Sequence, residues 1–128
     1  MQKPSTVTSS SSSDARDAAL KEIERLNAEI KIQFEKITEA LKASKYADVA
    51  EHANNVSTRC DMMLPLLNDL AEKESAALNS TVTASKKEAE SLKVSALKGA
   101  SDHDDIHKHF EKVKAQINTL DAQMALLK

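Results

Sequence analysis

The stretch CDMMLPLLNDL, residues 60–70, decides how the middle of this chain is built. It contains the longest apolar run, residues 62–67, with Pro65 inside it. Around it, Val49, Ala53, Val56, Cys60, Met63, Leu67 and Leu70 step by 4, 3, 4, 3, 4 and 3. One heptad phase therefore passes straight through the proline. Proline removes one N–H bond and crowds the carbonyl four residues back, here that of Asp61, at about 3 kcal/mol in a helix interior. A seam kept in phase across such a residue predicts a continuous helix bent at Pro65, over about 45–78. A new helix capped by Asp61 is the second reading.

Working outward, Ile23, Leu26, Ile30 and Ile37 occupy heptad positions a, d, a and a, with Gln33 and Ala40 at the remaining d sites. Leu20, Phe34 and Leu41 widen this stripe at e. A first helix is expected over about 14–43, opened by Ser13 or Asp14. The Ser/Thr tract of residues 1–13 has too little apolar surface to offset the entropy of ordering and reads as a disordered tail. The join KASKYAD suggests a turn near Ser44. Beyond Leu70 the seam decays through NSTVTASKKEAES, whose hydroxyl and amide side chains compete for backbone hydrogen bonds. The second helix either ends near Leu78 or continues to 98. Gly99 offers a helix C-cap, and Ser101-x-x-Asp104 resembles a capping box opening a last helix over 101–127. That helix has the cleanest pattern: Ile106, Phe110, Val113, Ile117, Leu120, Met124 and Leu127 again alternate steps of 4 and 3.

Composition agrees with helices. One Gly, two Pro and 2% aromatic residues in 128 do not supply the turns and strands of a β-rich fold. The fold class is therefore all-α: an elongated antiparallel helical bundle or coiled coil of three or four helices behind a disordered N-terminal tail. A net charge of −2 with both signs interspersed lacks the basic face that nucleic acid requires. The apolar run is far too short for a transmembrane segment. The first residues have no apolar core for secretion, and a lone Cys60 cannot form an internal disulfide. A reducing cytoplasmic location, intracellular and not secreted, is expected.

Candidate chemistry is sparse. His103 and His107 would share a helix face, with Asp104 or His52 as a third metal ligand. The stronger reading is ordinary solvated side chains at a helix start, so no metal is assigned. Cys60 at a core position reads as an inert buried thiol. No nucleophile and base stand at catalytic spacing, and no glycine-rich loop is present to cradle phosphate. No enzyme and no cofactor are therefore expected. The Met62-Met63-Leu64 patch could serve as an adaptable binding surface, the alternative being core.

With only three aromatic residues the core reads as thin, so other α-helical protein subunits are expected to supply the missing buried area. Ile23, Leu26, Ile30, Ile37, Met63, Leu67, Leu70, Ile106, Phe110, Val113, Ile117, Leu120, Met124 and Leu127 form the expected partner-binding seam. The functional expectation is a non-enzymatic coiled-coil interaction protein. It would be a small subunit of a multi-subunit intracellular assembly, in organelle trafficking or in a cytoskeletal or kinetochore scaffold. A hetero-oligomer is favoured. The alternatives are a self-sufficient homo-oligomer, such as a homodimer, and a peripheral membrane-associated amphipathic protein.

Overall fold

A computed structural model describes the backbone of residues 4–127 and the side chains of residues 14–127. Every regular element among them is helical: α1 (Pro4–Lys42), α2 (Tyr46–Leu66), α3 (Glu72–Lys98) and α4 (His103–Leu127). The backbone of α1 is helical from Pro4, although the sequence placed its start near residue 14. The tail expected over 1–13 lies outside the described side chains, and residues 1–3 lie outside the described backbone.

Cross-helix contacts fix the topology. Gln33 faces His52 and Glu29 accepts from Arg59, so α2 runs antiparallel to α1. Lys86 pairs with Asp61 and Lys93 donates to Asn54, so α3 reverses again. His109 meets Glu88 on α3, while Asp121 accepts from Asn27 and Lys31 on α1. Phe110 stacks on Phe34 with ring centroids 4.8 Å apart. The chain is thus an up-down-up-down bundle in which α4 returns beside α1.

Many of the buried side chains of α2 and α3 are small: Ala50, Ala53, Ser57 and Cys60 on α2, and Ser85, Ala89 and Ala96 on α3. They let those two backbones approach closely, whereas α1 and α4, separated by the phenylalanine pair, approach less closely than any sequential pair.

The reading of Pro65 is corrected. Helix α2 does not bend and continue; it ends at Leu66 and tightens into a 3-10 turn, Leu67–Asp69. The Leu67 N–H reaches back to Leu64 and the Leu70 N–H to Leu67. Leu70 and Ala71 are extended, and α3 starts at Glu72. The proline's missing bond falls in the last turn, where little helix remains to be lost. Leu67 and Leu70 stay buried because a 3-10 helix has three residues per turn and keeps i and i+3 on one side. Asp61 caps nothing; it pairs with Lys86 at 2.7 Å.

Residues 79–98 belong to α3, a single helix from Glu72. Its hydroxyls do not break it, because Thr81 and Ser85 donate to the carbonyls of Ala77 and Thr81, four residues back. Ser101 likewise differs from the capping-box expectation. Its hydroxyl donates back to the Lys98 carbonyl at the end of α3, and α4 opens at His103.

Candidate functional site

The residues expected to face partners lie within the chain's own bundle. Ile23, Leu26, Ile30 and Ile37 on α1, Met63 on α2, and Leu67 and Leu70 in the turn are buried. So are Ile106, Val113, Ile117, Leu120 and Met124 on α4, while Phe110 and Leu127 are half-buried against the same core. Counting aliphatic seam residues alone understated the core. Four helices of one chain cover one another's stripes, and buried Ala, Ser and Cys add area that a heptad count omits.

What remains for a partner is the outer surface. Among the described residues its exposed large apolar side chains are Ile32, Met62, Val94, Leu97 and Leu126, spread over all four helices. Two of them share the outer face of α1 and α2. Ile32, 50% exposed, lies three residues past Glu29, and Met62, 46% exposed, lies three residues past Arg59. Glu29 and Arg59 are paired at 3.0 Å, so the two apolar side chains flank that ion pair from opposite ends. At 1.5 Å per residue they stand roughly 9 Å apart along the bundle.

The polar floor between them is pre-organised. Arg25 Nε donates to Glu22 at 2.9 Å and its other arm reaches Glu29. Arg59 also donates to the Asn55 carbonyl at 3.3 Å. The hydrogen bond to Arg25 holds the Glu22 carboxyl below its usual range. Farther up, the Gln33 amide oxygen accepts from Asn55 at 3.1 Å and faces His52 Nδ1 at 2.9 Å. There Ile32, Lys36, Glu39, Lys45, Asp48 and His52 border an open groove of about 500 Å³.

The sequence separated Met62, Met63 and Leu64 poorly. The structure sends Met63 inward, leaves Leu64 half-buried and presents Met62. Ile32 was missed altogether. Its signal is an isoleucine out of phase with the Ile23–Leu26–Ile30–Ile37 stripe, on the side where α1 should be polar.

The other candidates resolve as follows. His103 and His107 lie with ring centroids 4.5 Å apart, His109 faces Glu88 on α3, and His52 is held at Gln33 on α1. Among the described residues no group of three or more His, Cys, Asp or Glu could hold a metal ion. Cys60 is buried, and loss of solvation raises its thiol to about 12.

Two buried polar atoms have no partner among the described residues, Asn27 Oδ1 and Gln123 Oε1, and Asn27 is the more deeply enclosed residue. Asn27, 5% exposed, donates from Nδ2 to Asp121 at 3.1 Å, while its Oδ1 has no partner among the described residues. Asn27→Leu keeps the branched shape and removes that carbonyl. It should raise stability by about 1–2 kcal/mol, because Asp121 retains Lys31 at 2.8 Å. A urea midpoint that falls on this substitution would show the Asn27–Asp121 bond to be worth more than the orphaned oxygen costs.

Searches against protein families, curated proteins and solved structures return no match to this chain.

Proposed function

We propose that this chain is a non-enzymatic helical interaction protein, a preformed bundle that docks other α-helical subunits into an intracellular, cytoplasmic assembly. The reading is carried by the outer face of α1 and α2, where Ile32 and Met62 flank the Glu29–Arg59 pair. Their spacing of roughly 9 Å is close to the i,i+7 repeat of a partner helix laid along the groove. Arg25 and Arg59, already oriented by Glu22 and Glu29, offer guanidinium edges to polar groups beside such anchors. The mixed charge of this face suits a protein partner better than a phosphate backbone. Among the described residues no helix is long and apolar enough to cross a membrane, and the apolar stripes that could lie on lipid are turned into the core.

The test is purification of the native full-length chain with its companions, alongside the double variant Ile32→Glu/Met62→Glu. Both positions are half-exposed, so each substitution should change stability by less than about 0.5 kcal/mol and leave the helical circular dichroism intact. Recovery of helical companions should fall by more than about tenfold, as expected for loss of central apolar anchors. Recovery of the bait alone from the wild-type chain, or an unchanged set of companions with the variant, would refute the reading.

A further inference from the structure

We infer that α4 is an exchangeable arm: two copies of this chain trade α4 when the α3–α4 connection straightens into one helix. The connection is a four-residue 3-10 turn, Gly99–Asp102. Lys98 before it (φ −79, ψ −16) and His103 after it (φ −49, ψ −47) already have right-handed helical backbones. Gly99, at φ 77 and ψ −151, has the positive-φ backbone of this turn. That region is open essentially to glycine alone.

The apolar register passes through this turn unbroken. Leu92, Ala96, Gly99, His103, Ile106 and Phe110 step by 4, 3, 4, 3 and 4. Phase alone does not dictate a straight helix, as Leu67 and Leu70 show. It does mean that a straight α3–α4 helix would keep both seams on one side. The α2–α3 connection lacks this property. Continuing the α2 seam from Leu70 gives positions 74 and 77, whereas the α3 seam falls on Leu78 and Val82. Straightening there would turn the α3 seam about 100° away, and Pro65 adds its own obstacle.

One flank of the arm is lightly held, since its approach to α1 is looser than the approach of the sequential pairs. Two straightened chains lying antiparallel would each receive the other's α4. The Glu88–His109, Ala77–Gln123 and Asn27–Asp121 contacts would re-form between copies without new chemistry. The closed form is favoured by Asp104 and Asp105 at the free N-terminus of α4, which straightening abolishes. The inference does not depend on the docking face, because Ile32 and Met62 lie on α1 and α2.

Gly99→Ala in the full chain is a clean test, because a Cβ at this position would meet nothing within 4 Å. The penalty in the closed turn is purely backbone strain, and the same alanine favours the straight helix. The two effects together should shift the balance by roughly 30-fold or more per hinge, and so by about 1000-fold or more in the dimerisation constant. Light scattering after refolding should give twice the monomer mass. Exchange is read by mixing chains carrying Ala77→Cys with chains carrying Gln123→Cys, both in the Gly99→Ala background. An interchain disulfide should form between these positions, adjacent in the bundle. Inserting three glycines after Gly99 in the alanine variant should restore the monomer. A Gly99→Ala chain that stays monomeric, folded or unfolded, overturns the inference. So does a dimer without the 77–123 cross-link, or one that survives the insertion.

Discussion

Ile106→Ala should cost the isolated chain about 2–5 kcal/mol, the range for truncating a fully buried aliphatic side chain. Ile106 is buried on α4 within the chain's own core, and no partner is needed to cover it. For a chain of this length the loss should lower the thermal midpoint on the order of 10 °C or more. Leu126→Ala on the same helix is the control. That side chain is 86% exposed, and its removal should stay within about 0.5 kcal/mol. The pair of variants separates two meanings of a heptad seam. If α4 presented its stripe to another protein, truncating Ile106 would weaken assembly and leave the lone chain's unfolding curve in place. Dilute urea unfolding of the purified chain decides between them, and equal midpoints for Ile106→Ala and wild type would contradict an intramolecular core.

The same ambiguity explains how much of this protein is legible in its sequence. The helical periodicity of α1 and α4 is plain, because Ile23, Leu26, Ile30 and Ile37, and then Ile106 through Met124, are aliphatic at nearly every inward position. The turn between α1 and α2 leaves only a low apolar content around KASKYAD, yet Ser44 there takes φ 58. The turn after α2 was misread because steps of three and four belong equally to an α-helix and to an α-helix finishing in a 3-10 turn. Helix α3 was the faintest of the four. Its inward positions are largely alanine and hydroxyl residues, Thr81, Ser85, Ala89, Ser95 and Ala96, which carry little hydropathy but permit close approach to α2. The proposed docking face was legible only in part. Met62 announces itself within an apolar run, whereas the value of Ile32 depends on α2 lying alongside. The Arg16–Glu74 pair, bidentate with Nε to Oε1 at 3.0 Å, joins positions 58 residues apart, and local spacing cannot foresee it.

Raising the pH should expose the second large effect, through Cys60. Burial pushes this thiol from 9.0 up to about 12, and the nearby Asp61 carboxylate adds to the shift against a smaller opposing effect of Lys86. The folded chain thus holds its thiol proton across an interval in which the unfolded chain has released it. Stability from this group is fully present below pH 9 and is lost as pH climbs from 9 toward 12, because the unfolded state binds fewer protons there. Three pH units correspond to about 4 kcal/mol at the upper end, and about 2 kcal/mol should be gone near pH 10.5. Lysines and Tyr46 ionise in the same interval, so the measurement is the difference between wild type and Cys60→Ala in urea midpoints from pH 8 to 11. The alanine variant leaves a small cavity and starts lower, by about 1–2 kcal/mol, but the gap should close at about pH 10 to 10.5 and reverse in sign by about pH 11. A gap that stays constant over those three units would refute a strongly raised thiol. The same cause predicts slow chemistry at neutral pH. At pH 8 the native thiolate fraction should be about 1000-fold below that of the unfolded chain, so a thiol-specific reagent should modify Cys60 at the rate at which the α2–α3 contact opens. A thiol so placed serves packing between Val56 and Met63.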